Sequence, residues 1–233
     1  PVSVINIDNV SQVSAGFDHT CALTGKGDTK CWGSGDSGKL GNGETNAQLT
    51  PVSVQYRHGH GWTKAPLSVF SGRSGHTINT FNNKLWLLGG VFSGGQTQKD
   101  LWNSDDGISW SRVTDNGIWQ NRYGHSTLVF ENKLWLIAGD QITGLNDVWN
   151  TSDGINWTKI NNNAQWQINV NSRTHHTSVV FNNKMWVLGG EMGYRLNDVW
   201  SSSDGITWKE EASTAAWSKR YQHSSVVFGG KMW

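Results

Sequence analysis

The chain has 233 residues and a formal net charge of +1, and it is long enough to bury a substantial core. Charged residues make up only 16% of it, so the composition argues against a basic face for nucleic acid or for an anionic membrane. No apolar run reaches the roughly 18 residues of a membrane-spanning helix, so membrane insertion is not expected.

Alternating apolar segments, bounded by Asn, Gly and Asp, recur along the whole chain, and no stretch has the period of a helix. This pattern predicts a nearly all-β protein. One sequence pattern begins at His76 and recurs at His125, His176 and His223, with steps of 49, 51 and 47 residues. A period of this length indicates a propeller, a solenoid or another array of repeats.

The first segment, residues 1–56, has a different repeat pattern. Pro-Val-Ser-Val opens the chain and returns at residues 51–54. Between them lie Ser-Ala-Gly-x-x-His-Thr-Cys-Ala-Leu at 14–23, Cys-Trp-Gly at 31–33 and Gly-x-Leu-Gly-x-Gly at 38–43. This text closely resembles one whole repeat of the regulator of chromosome condensation family in its bacterial form. The resemblance implies one propeller blade and does not imply nucleotide exchange.

Two cysteines, Cys21 and Cys31, lie symmetrically about Lys26. A hairpin that turns at residues 25–27 would set them opposite one another, close enough for a disulfide. A disulfide would suit an exported protein, whereas the alternative is a pair of small buried thiols in a cytosolic blade. A metal pair is not expected, because the only nearby histidine is His19 and there is no second cysteine pair.

Residues 57–75 form a junction between the two repeat types. His58 and His60 would face the same side of a strand there, two residues apart. One His-x-His pair without a third ligand does not define a metal site, so no metal and no other cofactor is predicted.

From residue 73 onward, each repeat is predicted to form four strands, called a to d. Strand a (His76–Phe81) turns into strand b (Lys84–Gly90) through Asn82-Asn83, and Asn and Gly at such turns tolerate a positive φ. Strands c and d are predicted to join through a three-residue loop that ends in Gly. That register opposes two tryptophans in each repeat and assigns them to packing between blades: Trp102 and Trp110, Trp149 and Trp157, Trp200 and Trp208.

Arg-x-x-His, a hydrophobic strand, Lys-Leu/Met-Trp-x-x-Gly-Gly, Asp-x-Trp and a final Trp resemble the kelch repeat over residues 73–233. Three complete units begin at about residues 73, 122 and 173, and an incomplete fourth begins at about residue 220. The chain departs from the kelch pattern where a Trp replaces the usual Tyr and where Ala138-Gly139 replaces a double Gly. The resemblance implies a β-propeller.

Together the two repeat types give about five blades of chain, so we predict a partial or hybrid propeller of four-stranded blades. His19 corresponds to His76 in this comparison, which predicts five innermost strands that begin with histidine. In the hybrid form, Pro1–Val13 would supply two strands to the incomplete last unit. The alternative is an open excerpt of a larger propeller.

Function on such a scaffold is expected on the b–c and d–a loops, which are longer than the other turns and differ between repeats. The candidate ligand contacts on this face are Phe92, Gln96, Gln141, Met192, Tyr194 and Arg195. Three further tryptophans are either sugar-stacking residues or wedges between blades: Trp119, Trp166 and Trp217.

Each unit also carries an arginine three residues before its histidine, at the start of the innermost strand. These residues could line a channel and attract anions or a metal, or they could hydrogen-bond backbone between blades. No nucleophile motif, phosphate loop or metal-binding histidine pair is present, so no catalytic site is predicted.

The sequence therefore predicts a binding or display module for a carbohydrate or protein ligand. The first residues, from Pro1, carry no initiator Met and no signal-peptide pattern, and Trp233 falls inside a repeat, so we expect a longer bacterial polypeptide, exported from the cell or displayed on its surface. The alternatives are an accessory propeller of a secreted hydrolase or oxidase, and an interaction scaffold with no small ligand.

Overall fold

The computed structural model describes residues 10–15, 19–24, 29–35, 40, 46–54, 69–114, 117–140, 145–166 and 172–233. All regular structure within these ranges is β-strand, in antiparallel sheets, as the sequence predicted. A search of the same residues for a helix long and apolar enough to cross a membrane finds none.

The first sheet comes from the N-terminal repeat and has its strands in chain order. Its strands are β1 (Val10–Ala15), β2 (His19–Thr24), β3 (Thr29–Gly33) and β4 (Gln48–Ser53). Cys21 of β2 lies directly opposite Cys31 of β3, and the two form a disulfide. The bond holds the central hairpin of this blade together.

Three further four-stranded sheets follow, each with one repeat's strands side by side. The second sheet contains β6 (Thr77–Phe81), β7 (Lys84–Leu88), β9 (Leu101–Ser104) and β10 (Ser111–Thr114), beside a short pair of β5 (Arg73–Ser74) and β8 (Val91–Phe92). The third contains β11 (Ser126–Phe130), β12 (Lys133–Gly139), β13 (Leu145–Thr151) and β14 (Thr158–Asn161). The fourth contains β15 (Thr177–Phe181), β16 (Lys184–Glu191), β17 (Arg195–Ser202) and β18 (Lys209–Ala212).

A two-stranded hairpin of β19 (Val227–Phe228) and β20 (Lys231–Met232) ends the chain. The two-residue turns between the first and second strands of each kelch-like unit have positive φ at both positions, for example 48° at Asn82 and 58° at Asn83. Such angles match the right-handed twist of the two strands that they join, so the predicted tight hairpins are confirmed.

The predicted register between the third and fourth strands is wrong. Trp102 lies opposite Arg112, not opposite Trp110, and the other two repeats pair Trp149 with Lys159 and Trp200 with Glu210. A wider turn explains the difference. Asp106 Oδ1 accepts hydrogen bonds from the backbone N–H groups of residues 108 and 109, at 2.7 and 2.6 Å, and Ser104 Oγ accepts one from Gly107. These side chains satisfy the backbone of a longer loop, which leaves Trp110 outside the ladder.

The prediction that the repeat tryptophans pack between blades is confirmed. Trp102 and Trp110 share a core cluster with Trp32 of the first sheet. Trp149 and Trp157 lie in the cluster that joins the second and third sheets, and Trp208 lies in the one that joins the third and fourth, with Trp200 packed against it. Each core is therefore shared by two neighbouring sheets, as in a propeller.

The innermost strands of the successive sheets are β1, β6, β11, β15 and β19, and each lies next to the following one. His19 lies in β2, the second strand of its sheet, so matching it to His76 was wrong. The hybrid arrangement is also wrong for Val10–Val13, because these residues belong to β1 and pair with β2. Residues 1–9 lie outside the described residues. The His-Thr text is shared by both repeat types but occupies different strands in them.

Candidate binding site at the mouth of the central cavity

The innermost strands border a central cavity of about 670 Å³. Its lining runs from Ser14 of β1, through β6, β11 and β15, to Val227 of β19. The lining residues are Ser, Thr, Asn, Gln, His, Gly and aliphatic residues, and none of them is Asp, Glu, Lys or Arg. The described part of the cavity wall is therefore polar and free of formal charge when its histidines are neutral.

The repeat histidines link neighbouring innermost strands. The Nε2 atoms of His125, His176 and His223 lie 3.0, 2.8 and 3.2 Å from the hydroxyl oxygens of Thr77, Ser126 and Thr177. Each of these hydroxyl groups belongs to the preceding blade. The contacts therefore join one blade to the next.

Burial keeps these histidines neutral. It lowers the pKa of His125 to about 3 and that of His223 to about 4, and in each case a nearby arginine adds to the effect. The pKa of His176 is also well below its usual value, for the same two reasons. Neutral rings do not attract anions. Among the described residues, no group of three or more His, Cys, Asp or Glu is placed to hold a metal ion.

Three repeat arginines, Arg73, Arg122 and Arg173, are buried in ion pairs, whereas Arg220 is exposed and bonds locally to Ser218; none of the four is among the cavity-lining residues. Arg122 binds both carboxylate oxygens of Asp147, at 2.8 and 3.1 Å, and the carbonyl oxygen of Ala138 at 2.7 Å. Arg73 with Asp100 and Arg173 with Asp198 repeat the arrangement. All these side-chain partners lie in the arginine's own repeat, so the predicted bonds between blades are wrong for the arginine side chains. Removing one partner of such a pair typically costs about 3–5 kcal/mol. The arginine backbone does join neighbouring units: Gly90 N–H, for example, donates to Arg122 O at 2.9 Å.

Four equivalent residues form a chain of backbone hydrogen bonds at the mouth of the cavity. Gly124 N–H donates to Gly75 O at 2.9 Å, His175 N–H to Gly124 O at 2.7 Å, and Gln222 N–H to His175 O at 2.9 Å. All four have a positive φ, between 53° and 62°. Gly adopts this conformation without strain, but a residue with a Cβ loses about 1–2 kcal/mol. Residues held in strained conformations concentrate at functional sites, which makes His175 and Gln222 candidates.

His175 stands between two tyrosines at this mouth. Its ring centroid lies 5.6 Å from that of Tyr123 and 6.1 Å from that of Tyr221, edge to face in both cases. Burial lowers the pKa of His175, against the opposing effect of the negative charges of Asp140 and Glu191. Nδ1 of His175 lies 3.0 Å from the hydroxyl oxygen of Thr174, so the ring is part of a polar network at the mouth, and this cluster suits a polar ligand.

The hydroxyl group of Tyr123 donates to Asp140 Oδ2 at 3.0 Å, and that of Ser172 donates to Asp140 Oδ1 at 3.2 Å. Burial and the Asp140 charge raise the pKa of Tyr123, so its phenol stays protonated. The guanidinium group of Arg195 lies over the Tyr221 ring, 4.9 Å from its centroid. These contacts hold both tyrosine rings in place beside His175.

Three of the predicted ligand contacts are buried. Trp119 and Trp166 are 2% and 1% exposed, and each meets a core tryptophan edge to face, with ring centroids 4.6 Å apart. Met192 is 1% exposed. This burial favours the alternative role of the tryptophans as wedges between blades. Trp217 is half-buried, and Asn197 donates a hydrogen bond to its backbone carbonyl group.

The other described contacts lie at the ends of strands or in the loops between strands: Phe92 is in β8, Arg195 begins β17, and Gln96 and Tyr194 are in loops. Gln96, Tyr194 and Arg195 are exposed, while Phe92 is half-buried and packs against Arg73, with 5.1 Å between the guanidinium carbon and the ring centroid. Arg195 also contacts the mouth cluster, which consists of Tyr123, His175, Tyr221 and Gln222, through the Tyr221 ring. Gln141 lies outside the described residues, as do His58 and His60.

Sequence reasoning missed Tyr123, His175, Tyr221 and Gln222. The signal was available in the two residues that precede each repeat histidine. These read Ser-Gly, Tyr-Gly, Thr-His and Tyr-Gln in the successive units, in an otherwise regular text. Variation at a fixed repeat position marks a surface that the scaffold does not constrain.

Family models match two parts of the chain. The regulator of chromosome condensation (RCC1) repeat matches residues 10–39, and the kelch motif matches residues 172–201. Over 59 residues, the chain is 32% identical to the E3 ubiquitin-protein ligases HERC2 of Homo sapiens and Mus musculus. This segment is 25% of the chain, but it spans only 1% of the length of those relatives.

The solved structure of YjhT superposes with a TM-score of 0.58 at 14% sequence identity, covering 95% of this chain and 70% of that one. At such low identity the likeness establishes the fold alone. The chain is thus similar to propeller proteins along nearly its whole length, and it carries an RCC1-type repeat followed by kelch-type repeats.

Proposed function

We propose that this chain is a non-catalytic binding module that holds a protein or carbohydrate ligand on its long-loop face, at the mouth of the central cavity. The observation that carries the proposal is the pair His175 and Gln222. Both occupy a left-handed backbone position that Gly75 and Gly124 fill in the preceding units. Both residues border the cavity, so the backbone strain of the two left-handed residues lies where a ligand would be bound.

Two further features support a binding role. The RCC1-type and kelch-type repeats form a propeller scaffold, on which loops vary while the blades stay regular. The described arginines of the repeat motif are committed to ion pairs or to local contacts, and His125, His176 and His223 to links between blades. These groups therefore serve the scaffold, and the mouth cluster remains for ligand contact.

We also propose that the chain is part of a longer exported bacterial polypeptide, outside the cell or on its surface. The disulfide between Cys21 and Cys31 supports this, because disulfides persist in oxidising compartments and are rare in the cytosol. The Cys pair also belongs to the segment that resembles the bacterial form of its repeat.

The experiment is a binding screen of the folded protein against a glycan array and a random peptide library. Ligands that bind are then titrated against the double variant His175→Gly/Gln222→Gly, which should bind at least about tenfold more weakly through loss of two polar contacts. The control is Asn183→Gly, which also relieves a left-handed residue but lies in a tight turn of the opposite face. Equal affinity in the double variant, or turnover of a glycan by this chain alone, would contradict the proposal.

A further inference from the structure

The surface between the fourth sheet and the last hairpin is covered less completely than the equivalent surfaces earlier in the chain. Within the described residues, β20 pairs with β19 alone, whereas the second strand of each earlier kelch-like unit also pairs with a third strand. An edge strand without a neighbour is a template for another strand. We call this surface, which includes Trp186, Trp217 and Arg220, the open face.

Arg220 lacks the carboxylate that its three equivalents bind. In each earlier unit, the arginine binds both carboxylate oxygens of the Asp in Asp-x-Trp, and the indole N–H of that Trp donates to the same carboxylate. The pairs are Arg73 with Asp100, Arg122 with Asp147 and Arg173 with Asp198. Arg220 is exposed and forms no ion pair in the described part of the chain. Its Nε donates only to the carbonyl oxygen of Ser218, as the Nε of Arg73 does to that of Ser71.

Trp217 lacks the aromatic partner that its equivalents have. An aromatic residue precedes each earlier arginine and meets, edge to face, the last Trp of the unit that this arginine begins. The ring centroids are 5.2 Å apart for Phe70 and Trp110, and 4.6 Å apart for Trp119 with Trp157 and for Trp166 with Trp208. Trp217 has no such ring contact among the described residues, and it is half-buried where Trp119 and Trp166 are buried.

Trp186 lacks the turn that covers its equivalents. Trp86 and Trp135 each lie against the wide c–d turn of the next unit, where a Cβ on Gly154 or Gly205 would lie 2.2 Å from the ring. Both rings are almost fully buried. Trp186 donates to the backbone carbonyl group five residues earlier, as they do, but it is only half-buried. Part of its ring is therefore accessible to a partner.

We propose that the open face binds a β-hairpin of the kelch type, with Asp-x-Trp in its first strand and a wide Asp-Gly turn followed by Trp. The hairpin lies along β20 as the third and fourth strands of that sheet. Its first Asp binds Arg220, its turn Gly covers Trp186, and its last Trp meets Trp217 edge to face. A carboxylate opposite an exposed arginine and aromatic surface on two half-buried tryptophans make this hairpin complementary to the face.

The source of the hairpin is the longer polypeptide proposed above, and the inference rests on that proposal for the source. It does not depend on a ligand at the mouth of the cavity, because none of the three contacts involves the mouth cluster.

The test is isothermal titration of the protein with a synthetic peptide of residues 196–212, which contains Asp198, Gly205 and Trp208 in the required order. The peptide is expected to bind with one-to-one stoichiometry. Its affinity should fall at least about tenfold with Asp198→Asn in the peptide or with Arg220→Ala in the protein, because each change leaves one charge of an ion pair without its partner. Both changes together should cost about as much as either alone, because they remove the same contact.

Two controls accompany the titration. Arg220→Ala should keep the thermal midpoint of the parent, because the side chain is exposed and forms no ion pair in the described chain. Lys133→Ala removes another exposed cation, beside a tight a–b turn, and should bind the peptide as the parent does.

The inference is overturned if the peptide does not bind, if a scrambled peptide binds equally well, or if the two substitutions act independently. It is also overturned if the protein dimerises and Arg220→Ala dissociates the dimer in sedimentation velocity, because a second copy would then cover the open face. Peptide binding without any ligand for the cavity mouth would contradict the proposed binding function alone. A ligand at the mouth without peptide binding would contradict this inference alone.

Discussion

At the scale of single residues, glycine serves two different needs in this protein. Gly154 and Gly95 both have φ near +80°, a conformation that glycine reaches without strain. A Cβ on Gly95 would meet no atom within 4 Å, whereas a Cβ on Gly154 would lie 2.2 Å from the Trp86 ring of the preceding blade. Gly154 is therefore required by the turn and also by the packing of two blades.

The comparison of Gly154→Ala with Gly95→Ala isolates the packing effect. Each substitution forces a Cβ into the left-handed region, at a cost of about 1–2 kcal/mol in the free energy of unfolding. Gly154→Ala should lose about 1–3 kcal/mol more, because the Trp86 ring must move. Urea denaturation of both variants measures the difference, and equal losses would contradict this account of the blade contact.

The left-handed turns were predictable residue by residue, because Asn and Gly at two-residue turns report a local backbone requirement. The contact between Gly154 and Trp86 was not, because it joins residues of different repeats. The same limit applies at the candidate site. The sequence shows His175 as a departure from the repeat pattern. Its position between Tyr123 and Tyr221, however, depends on how three blades meet.

At the scale of strands, the innermost strands are joined through histidines that stay neutral in the folded protein. The pKa of His125 is about 3 and that of His223 about 4, whereas the ordinary value is 6.5. Between these values, the unfolded chain binds protons that the folded chain does not. The stabilisation is therefore fully present above about pH 6.5 and is lost as the pH falls toward 3.

Stability should accordingly fall on acidification from pH 7 to pH 5, by at most about 1.4 kcal/mol per pH unit for each buried histidine. The described carboxylates with altered pKa values have them lowered, so they do not titrate in this range. Urea midpoints at pH 7, 6 and 5 provide the measurement. In His125→Gln the slope should be shallower, and a parent protein equally stable at pH 7 and pH 5 would contradict the assignment.

Strand pairing was predicted well where the turn is short and less well where side chains shape the turn. The a–b hairpins follow from two residues, since a two-residue turn fixes its own register. The c–d register could not be read in the same way. Asp106 and Ser104 bind backbone N–H groups and hold a wider turn, which shifts Trp110 out of its predicted pairing.

At the scale of the whole molecule, the sheets depend on their neighbours. Each hydrophobic cluster draws on two adjacent sheets, so no sheet buries its apolar surface alone. Backbone hydrogen bonds at the cavity mouth and the histidine contacts add further links between blades. Repeat proteins with strong contacts between neighbouring units unfold together.

We therefore expect one cooperative thermal transition and a radius of gyration of about 17–18 Å, the value for a globular chain of this length. Differential scanning calorimetry and small-angle scattering on the same sample provide the two measurements. A broad or multistep melt with a larger, concentration-dependent size would show that the blades do not act as one body.

The sequence by itself determined the fold class, the repeat period, the opposed positions of Cys21 and Cys31, the tight hairpins and the tryptophans that fill the space between blades. These features follow from local patterns that recur: alternation, turn residues and fixed spacing. Only the tertiary structure decided that Arg73, Arg122 and Arg173 lie in ion pairs within their own repeats, that Trp119 and Trp166 are buried, and that β1 borders the cavity. It also placed Tyr123, His175 and Tyr221 together, because contacts between separate repeats depend on how the blades pack and leave no periodic trace in the chain.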